Sequence, residues 1–335
     1  MPIADQSCSI GVLPGEGIGS EVIDGTLTVL RAVESAGRTT FDIRFGGPIG
    51  LAAVASCGQA LSQEVVEFCE GVFAENGAIL AGPGGGRFVY DMRRHFDLYC
   101  KFSPITIRHE LRHASRLKAE CGANVDILLV RDNIGGVYQG EWSENSDPSH
   151  GRTASHTFSY NHAQVSRIVR VAATIAKKRR GELTLVVKPS GVPTISELWS
   201  ECAREAARDL DVSIKELEID NAAYQLVQNP QQFDVIVSPN LFGDILSDVA
   251  GVLLGSRGLC YGASFSSDGA AVYQTNHGAA YDMATMNRAN PVGQIFSLAM
   301  MLRESFELIE AADLIEAAVV AVWQRGCRTE DLPEK

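Results

Sequence analysis

Short apolar runs alternate with amphipathic stretches from one end of this chain to the other, and that rhythm admits few architectures. A run too short for a helix, closed by Gly, Pro or a polar residue and followed by a 3.6-residue period, reads as a buried strand feeding a helix. Repeated, the unit builds an α/β protein around a largely parallel sheet. Residues 9–13 read as a strand, 14–19 as a Gly-rich turn, and 20–35 as a helix with Ile23, Leu27 and Leu30 along one side. Further strands are predicted at 78–81, 126–130, 183–187, 213–219 and 234–238, and helices at 165–175, 195–207, 221–228 and 241–254. Thr194 and Glu197 have the spacing of a capping box for the helix from 195. From 141 to 161 the pattern dissolves into Ser, Asn, His and Gly, too long for a simple connection and so an arm, a lid or a disordered loop.

The 335 residues suffice for two domains. Lys and Arg number 29 against 41 Asp and Glu, a net charge of −12 that argues against a nucleic-acid partner. The basic run 177–180 then reads as a solvated helix end. The longest clean apolar stretch, 317–323, is far short of a bilayer span, and the N-terminus lacks a basic segment followed by an apolar one, so no membrane partner and a cytoplasmic location are expected. Eight cysteines lie far apart without a CxxC pair, which predicts buried thiols and no metal cage.

Polar residues arriving at strand ends are where open α/β sheets place their chemistry. Asp244 and Asp248, four apart on one helix, project from the same face, and Asp220 at a strand end adds a third oxygen. Oxygen-only ligands favour Mg²⁺ or Mn²⁺. An exposed acidic face is the alternative, but unpaired carboxylates in an otherwise apolar helix are expensive. Arg87, Arg93, Arg94, Lys101 and Arg131 crowd the segments after two strands, an excess of cations in an acidic protein that suggests a multiply anionic substrate. Taken singly, each fits a surface salt bridge as well. Lys188, alone at a strand end, is either a snorkelling surface lysine or a base whose pKa is lowered by burial and neighbouring cations. Tyr138 offers a phenol as proton donor. His277, Gly278 and Asp282, followed by Asn290, form a polar loop in which a carboxylate would accept hydrogen bonds from a ribose diol; an ordinary turn fits these residues too. The glycines of 15–19 do not make a GxGxxG fingerprint.

Together, LPGEGIGSEV at 13–22, RRHFDLY at 93–99, VRDNIGGVYQGEW at 130–142, the stretch 220–248 containing SPNLFGDILSD, and HGAAYDMATMNRANP at 277–291 resemble the metal-dependent β-decarboxylating dehydrogenases of isopropylmalate, isocitrate, homoisocitrate and tartrate. The resemblance covers nearly the whole chain. It implies a two-domain isopropylmalate dehydrogenase-like α/β fold with a non-Rossmann NAD site: residues 1–98 plus 255–335 as a terminal, cofactor-side domain, 99–254 as a central catalytic and dimerisation domain, and a dimer-clasping arm at about 141–161. It implies a homodimer with shared active sites, Lys188 and Asp220 reaching in from the neighbour. Position by position, Asp220, Asp244 and Asp248 match the metal ligands, Lys188 the base, Tyr138 the acid that protonates the enolate carbon, and Arg93 and Arg131 carboxylate-binding arginines. His277, Gly278, Asp282 and Asn290 match the adenosine pocket, and Asp282 stands where NADP users carry a lysine, so NAD is expected.

Three departures bear on the substrate. Ser103 stands where the family usually has an arginine, with Lys101 nearby as a substitute cation, and Ser190 stands where it usually has an asparagine. Arg87 falls in the segment that reads the third substituent, which points to an anionic group, a carboxylate or a phosphonate, rather than an isopropyl. The expected activity is NAD- and divalent-metal-dependent oxidative decarboxylation of a 3-substituted malate. A tartrate- or malate-type dehydrogenase acting on a smaller diacid is the nearest alternative. A non-catalytic regulatory subunit is the reading from another class, and retention of Lys188, Tyr138 and the three aspartates speaks against it.

Overall fold

The computed structural model describes residues 7–332 apart from 38, 119–121 and 123. In chain order the elements are β1 (Ser7–Leu13), α1 (Gly19–Ala36), β2 (Thr40–Phe45), α2 (Gly50–Cys57), α3 (Gln63–Ala74), β3 (Ala78–Ala81), α4 (Phe88–His95), β4 (Cys100–Thr106) and β5 (Asp126–Asp132). There follow β6 (Glu141–Asp147), β7 (Gly151–Thr157), α5 (His162–Lys178), β8 (Glu182–Val187), α6 (Pro193–Leu210), β9 (Ser213–Glu218), α7 (Ile219–Gln228), β10 (Val235–Ser238) and α8 (Asn240–Leu254). The chain closes with β11 (Tyr261–Phe265), β12 (Ala271–Thr275), α9 (Val292–Glu304) and α10 (Ile309–Gln324).

Ten strands form one sheet in the order β2-β1-β3-β12-β11-β4-β5-β10-β8-β9. Both flanks are parallel, while β12, β11, β4 and β5 run antiparallel to one another through the centre. Covered on both faces, the inner strands β3 and β10 are buried at every position, which is why AILA and VIVS read as unbroken apolar runs. The edge strands β2 and β9 are half exposed and mixed in composition. One apolar cluster joins α1, α8, α9 and α10 to the sheet, a second packs α5 and α6 with the fully buried Trp199 against β8 and β10, and a third seats α3 and α4 on β1 and β3. No helix among the described residues is long and apolar enough to cross a membrane.

Several expectations are corrected. The segment 141–157 is a regular antiparallel hairpin, β6 with β7, and every residue of both strands is exposed. With no face buried in its own chain it shows no alternation to read. The capping box does not form: α6 starts at Pro193, whose missing N–H is no loss in a first turn, and Ser196 Oγ accepts from Lys188 N–H at 3.2 Å. The basic run is only partly a solvated end, since Arg179 and the Arg180 backbone N–H bind the buried Asp234 at 2.7 and 2.8 Å. Cys57 and Cys327 are exposed, five other cysteines are buried, and Cys121 lies outside the described residues. Arg131 sits within β5 rather than after it, and Asp220 lies in the first turn of α7, which begins directly after β9, rather than at the strand's end.

Candidate active site

Where β4, β5 and the start of α8 meet, three cations gather. Lys101 and Arg131 are direct partners on adjacent antiparallel strands and are 8% and 2% exposed. Like charges facing each other across a ladder repel, and burial removes the water that would screen them. Arg93, on α4, is 7% exposed beside them, with its guanidinium 6.0 Å from the Tyr90 ring. Neither Arg93 nor Lys101 has a carboxylate partner among the described residues. Burial, then the charges of Arg93 and Arg131, push the Lys101 ammonium well below its ordinary pKa. Burial and Arg131 lower Arg93 to about 9.

The nearest countercharge is Asp244, one turn into α8. Its carboxylate binds Arg131 Nη1 and accepts from the Tyr138 hydroxyl at 2.8 Å. Desolvation pushes this acid up, but Arg131, the Tyr138 bond, Lys101 and Arg93 outweigh it and hold the group below the usual carboxylate range. Burial, followed by the bond to Asp244, raises the Tyr138 phenol to about 12, so it is a protonated donor at neutral pH. Gly243 makes room for this arrangement: a Cβ there would lie 2.6 Å from Arg131 Cγ and 2.7 Å from Ser238 Oγ.

The three aspartates do not converge within one chain. Asp248 is 56% exposed and pairs with Arg257, so the cost of an unpaired carboxylate in an apolar helix applies to neither aspartate of α8. Asp220 ion-pairs with Lys188 Nζ at 2.9 Å, and Glu218 holds the same ammonium. These bonds to Glu218 and Asp220 raise the Lys188 pKa, the reverse of the lowered base read from sequence. Ser190 Oγ donates to Glu218 at 2.9 Å. No group of three His, Cys, Asp or Glu among the described residues is placed to hold a metal ion. One chain thus offers two carboxylates a turn apart on α8, with Asp220 held elsewhere by Lys188.

Arg87, at the start of α4, stands apart from the three buried cations. Its guanidinium lies 5.3 Å from the Tyr90 ring and 5.2 Å from Trp142 of β6, with Asp91 at 3.5 Å. Tyr90 in turn packs on Tyr138 at 5.4 Å, so one ring separates Arg87 from the phenol. Arg94 is exposed. Ser103 accepts from Asn276 Nδ2 at 3.0 Å and is buried two residues from Lys101, on the same face of β4.

Beside this cluster lies a cavity of about 670 Å³ lined by Ile18, Arg257, His277, Gly278, Arg288 and Asn290, among others. The His277 ring is held at 3.0 Å from the Gly278 carbonyl through Nδ1, while its buried Nε2 has no partner. Burial, then Arg257, lowers its pKa, so the imidazole is neutral with one nitrogen free. Asn290 Nδ2 donates to Asp331 at 3.1 Å. Asp282 lies in an exposed turn and does not line the cavity. The Gly-rich turn contributes by close approach: a Cβ on Gly17 would lie 1.9 Å from the Ala279 carbonyl, and Ile18 N–H donates to that oxygen at 2.9 Å. Arg257 is the link between the two regions, lining the cavity and pairing with Asp248.

Sequence reading missed Glu16, Asn240, Asp132 and Arg257. Glu16 accepts from Ala52 and Gly85 N–H at 2.7 Å each and from Tyr281 at 3.0 Å, tying three loops together. The signal for Asn240 was a polar residue opening an apolar helix within SPNLFGDILSD.

Residues 9–335 match the isocitrate/isopropylmalate dehydrogenase family. The 3-isopropylmalate dehydrogenase of Priestia megaterium is 38% identical over 97% of this chain and 90% of its own length. That of Geobacillus kaustophilus is 40% identical over 96% and 89%. Among solved structures, an isocitrate dehydrogenase from Methylococcus capsulatus superposes with a TM-score of 0.85 at 31% identity, covering 97% of this chain and 94% of that one. The buried cations, the phenol on Asp244 and the cavity beside them therefore belong to an enzyme of the isocitrate/isopropylmalate dehydrogenase family.

Proposed function

We propose that this enzyme carries out NAD- and divalent-metal-dependent oxidative decarboxylation of a 3-substituted malate with an anionic third substituent, a carboxylate or a phosphonate. The observation that carries the reading is the buried set Arg93, Lys101 and Arg131, faced among the described residues by Asp244 and by the buried Asp132, whose carboxyl burial pushes toward its protonated form. Such a site is left with positive charge that only a multiply anionic ligand neutralises. Arg93 and Arg131 hold the carboxylates of the malate core and Lys101 takes the place of the arginine lost at Ser103. Tyr138, kept protonated, delivers its proton to the enolate carbon left when CO₂ departs. Arg87, presented between Tyr90 and Trp142 one ring from Tyr138, meets the third substituent.

Asp244 and Asp248 would hold Mg²⁺ or Mn²⁺ together with Asp220 of a second copy, and the chemistry of three carboxylate oxygens suits either ion. His277, Gly278 and Asn290 would hold the adenosine end of NAD; the free His277 Nε2 offers an acceptor there. Glu330 and Asp331 on the same wall, with Asp282 outside it, favour a ribose diol over a 2′-phosphate. When bound, the ion would supply a Lewis acid that lowers the pKa of the substrate hydroxyl, and NAD would supply the hydride acceptor. Lys188 of the second copy would take the hydroxyl proton only once the bonds to Glu218 and Asp220 that raise its pKa are released, as drawing Asp220 to the ion would begin to do.

The homodimer is supported by an apolar face beside both halves of the site: Tyr224 and Val227 on α7 and Ile245 and Val252 on α8 are between 42% and 62% exposed. The exposed hairpin β6–β7 would be the clasping arm. We place the domain boundary between β11 and β4, with 1–98 and 255–335 on the cofactor side and 99–254 as the central unit.

A panel of malates substituted at C3 with isopropyl, carboxylate or phosphonate groups, together with malate and tartrate, followed by reduced nicotinamide with Mn²⁺ and NAD, tests the reading. Turnover of an acidic member ahead of isopropylmalate is expected, and Arg87→Ala should narrow that ratio. Preference for isopropylmalate, or a ratio indifferent to Arg87→Ala, would overturn the anionic assignment.

A further inference from the structure

We infer that Asn240 is a positioning residue that fixes Arg131 and the Tyr138 loop with a single amide, coupling substrate-carboxylate binding to delivery of the phenol's proton. This inference rests on the reaction proposed above. Asn240, the first residue of α8, is 0% exposed. Its Oδ1 accepts from Arg131 Nε at 3.1 Å and Nη2 at 2.9 Å, and its Nδ2 donates to the Gly135 carbonyl at 2.9 Å. The partners settle which end of the amide is which. A guanidinium only donates and a carbonyl only accepts, so no flipped amide satisfies both.

The loop is clamped from its other side as well. Gly135 N–H donates to Asp132 Oδ2 at 2.9 Å, Tyr160 donates to that oxygen at 3.1 Å, and Tyr160 accepts from Asn240 N–H at 3.2 Å. Donors and acceptors thus close a ring through Asn240, Gly135, Asp132 and Tyr160. Gly135 leads directly into the turn that carries Tyr138, and Tyr138 and Arg131 meet again on Asp244. One side chain therefore holds the Arg131 guanidinium and the backbone that leads to Tyr138, and one carboxylate holds the remaining nitrogen of that guanidinium and the phenol. Only a group that accepts on one edge and donates on the other can replace Asn240. A carboxylate keeps the Arg131 acceptor but sets an oxygen against the Gly135 carbonyl; an aliphatic group loses both bonds.

Asn240→Asp separates the two functions. In the full enzyme with Mn²⁺, NAD and the best malate of the panel, kcat should fall by about 10- to 100-fold, the cost of misplacing a reacting group by about an ångström, while KM stays within about threefold. The solvent isotope effect on kcat should rise, because proton delivery becomes slower, and amide exchange of residues 135–140 should quicken while that of β5 does not. Tyr160→Phe opens the same ring without touching Arg131 and should give the same pattern, so it decides the matter if Asn240→Asp does not fold. Wild-type kcat and unchanged exchange at 135–140 in either folded variant would overturn the inference, as would a KM rise without loss of kcat. Faster exchange at 135–140 in a chain whose wild type turns over no malate would support the positioning role and sink the proposed reaction instead.

Discussion

Lys101→Met is the most informative perturbation of the substrate site, because it separates stability from function. The ammonium is 8% exposed, stands in register with Arg131 across the β4–β5 ladder, and has Arg93 beside it. In the free enzyme it is a liability: directly opposed like charges cost up to about 1 kcal/mol even at a surface, and burial adds to that. Methionine fills nearly the same volume without the charge. Thermal unfolding of the metal-free, ligand-free enzyme should therefore show Tm unchanged or raised by a few degrees, at about 2–4 °C per kcal/mol for a large domain. In catalysis the same change removes a charge-assisted bond to the substrate, worth about 1.5–3 kcal/mol, so kcat/KM should drop roughly 10- to 100-fold. Because burial and the two guanidiniums lower the Lys101 pKa, kcat/KM of the wild type should improve as pH falls through that lowered pKa, and the variant should lose that component. Steady-state kinetics across pH, beside differential scanning calorimetry, reads both. A variant with wild-type kcat/KM, or one destabilised by several degrees, would show that Lys101 is a packing residue and that the site's charge is not built for anions.

Co-expressed Asp244→Asn and Lys188→Met chains test the shared site: heterodimers with one intact site of two should recover about a quarter of wild-type activity from two inactive parents, and no recovery would place the whole site in one chain. Asp132→Asn tests the buried carboxylate beside Arg131, which burial raises from 3.8 to about 6. Its protonated form is favoured by folding, so its contribution is present below about pH 4 and lost as pH rises to about 6, a span of at most about 3 kcal/mol. The variant should flatten the Tm–pH profile over that interval and gain stability at pH 7, whereas a loss at pH 7 would show that the ionised group is needed by its donors Gly135 and Tyr160.

Where a strand is covered on both faces its sequence has no choice but to be apolar, and β1, β3, β8 and β10 were legible for that reason. Helices α1, α5 and α8 bury one stripe and showed it. The hairpin β6–β7 buries nothing within one chain, so selection on its side chains leaves no period. The edge strand β2 and the antiparallel pair β11–β12 carry too few buried positions to stand out from loops. Site residues were legible where a charge interrupts an apolar run, as with Arg131, Lys188 and Asp244. Two kinds of fact stayed hidden. One is pairing: the sequence leaves Lys188 alone at a strand end, a snorkelling lysine or a base of lowered pKa, whereas Glu218 and Asp220 fold onto it and raise its pKa. The other is neutral scaffolding, because Asn240 and Tyr160 carry no charge to draw attention and act only through what they hold.

The charge distribution also fits the proposed division of the site between two subunits. Placing Asp220 beside Asp244 and Asp248 in one chain would crowd three carboxylates before any ion arrived, a repulsion that the folding chain would have to absorb. In the separate chain each carboxylate already has a cation: Asp244 has Arg131, Asp248 has Arg257, and Asp220 has Lys188. Four of the exposed apolar residues, Tyr224, Val227, Ile245 and Val252, lie on α7, which carries Asp220, and on α8, which carries the other two. Burial of that face in an isologous contact supplies a driving force of roughly 25 cal/mol for each Å² of apolar surface removed from water. In the proposed dimer the contact that stabilises the pair would also bring the third acid to the other two, with a divalent ion rather than a side chain to balance them. Assembly and ligation would then be one event, and the folded chain alone would not have to hold the unbalanced cluster.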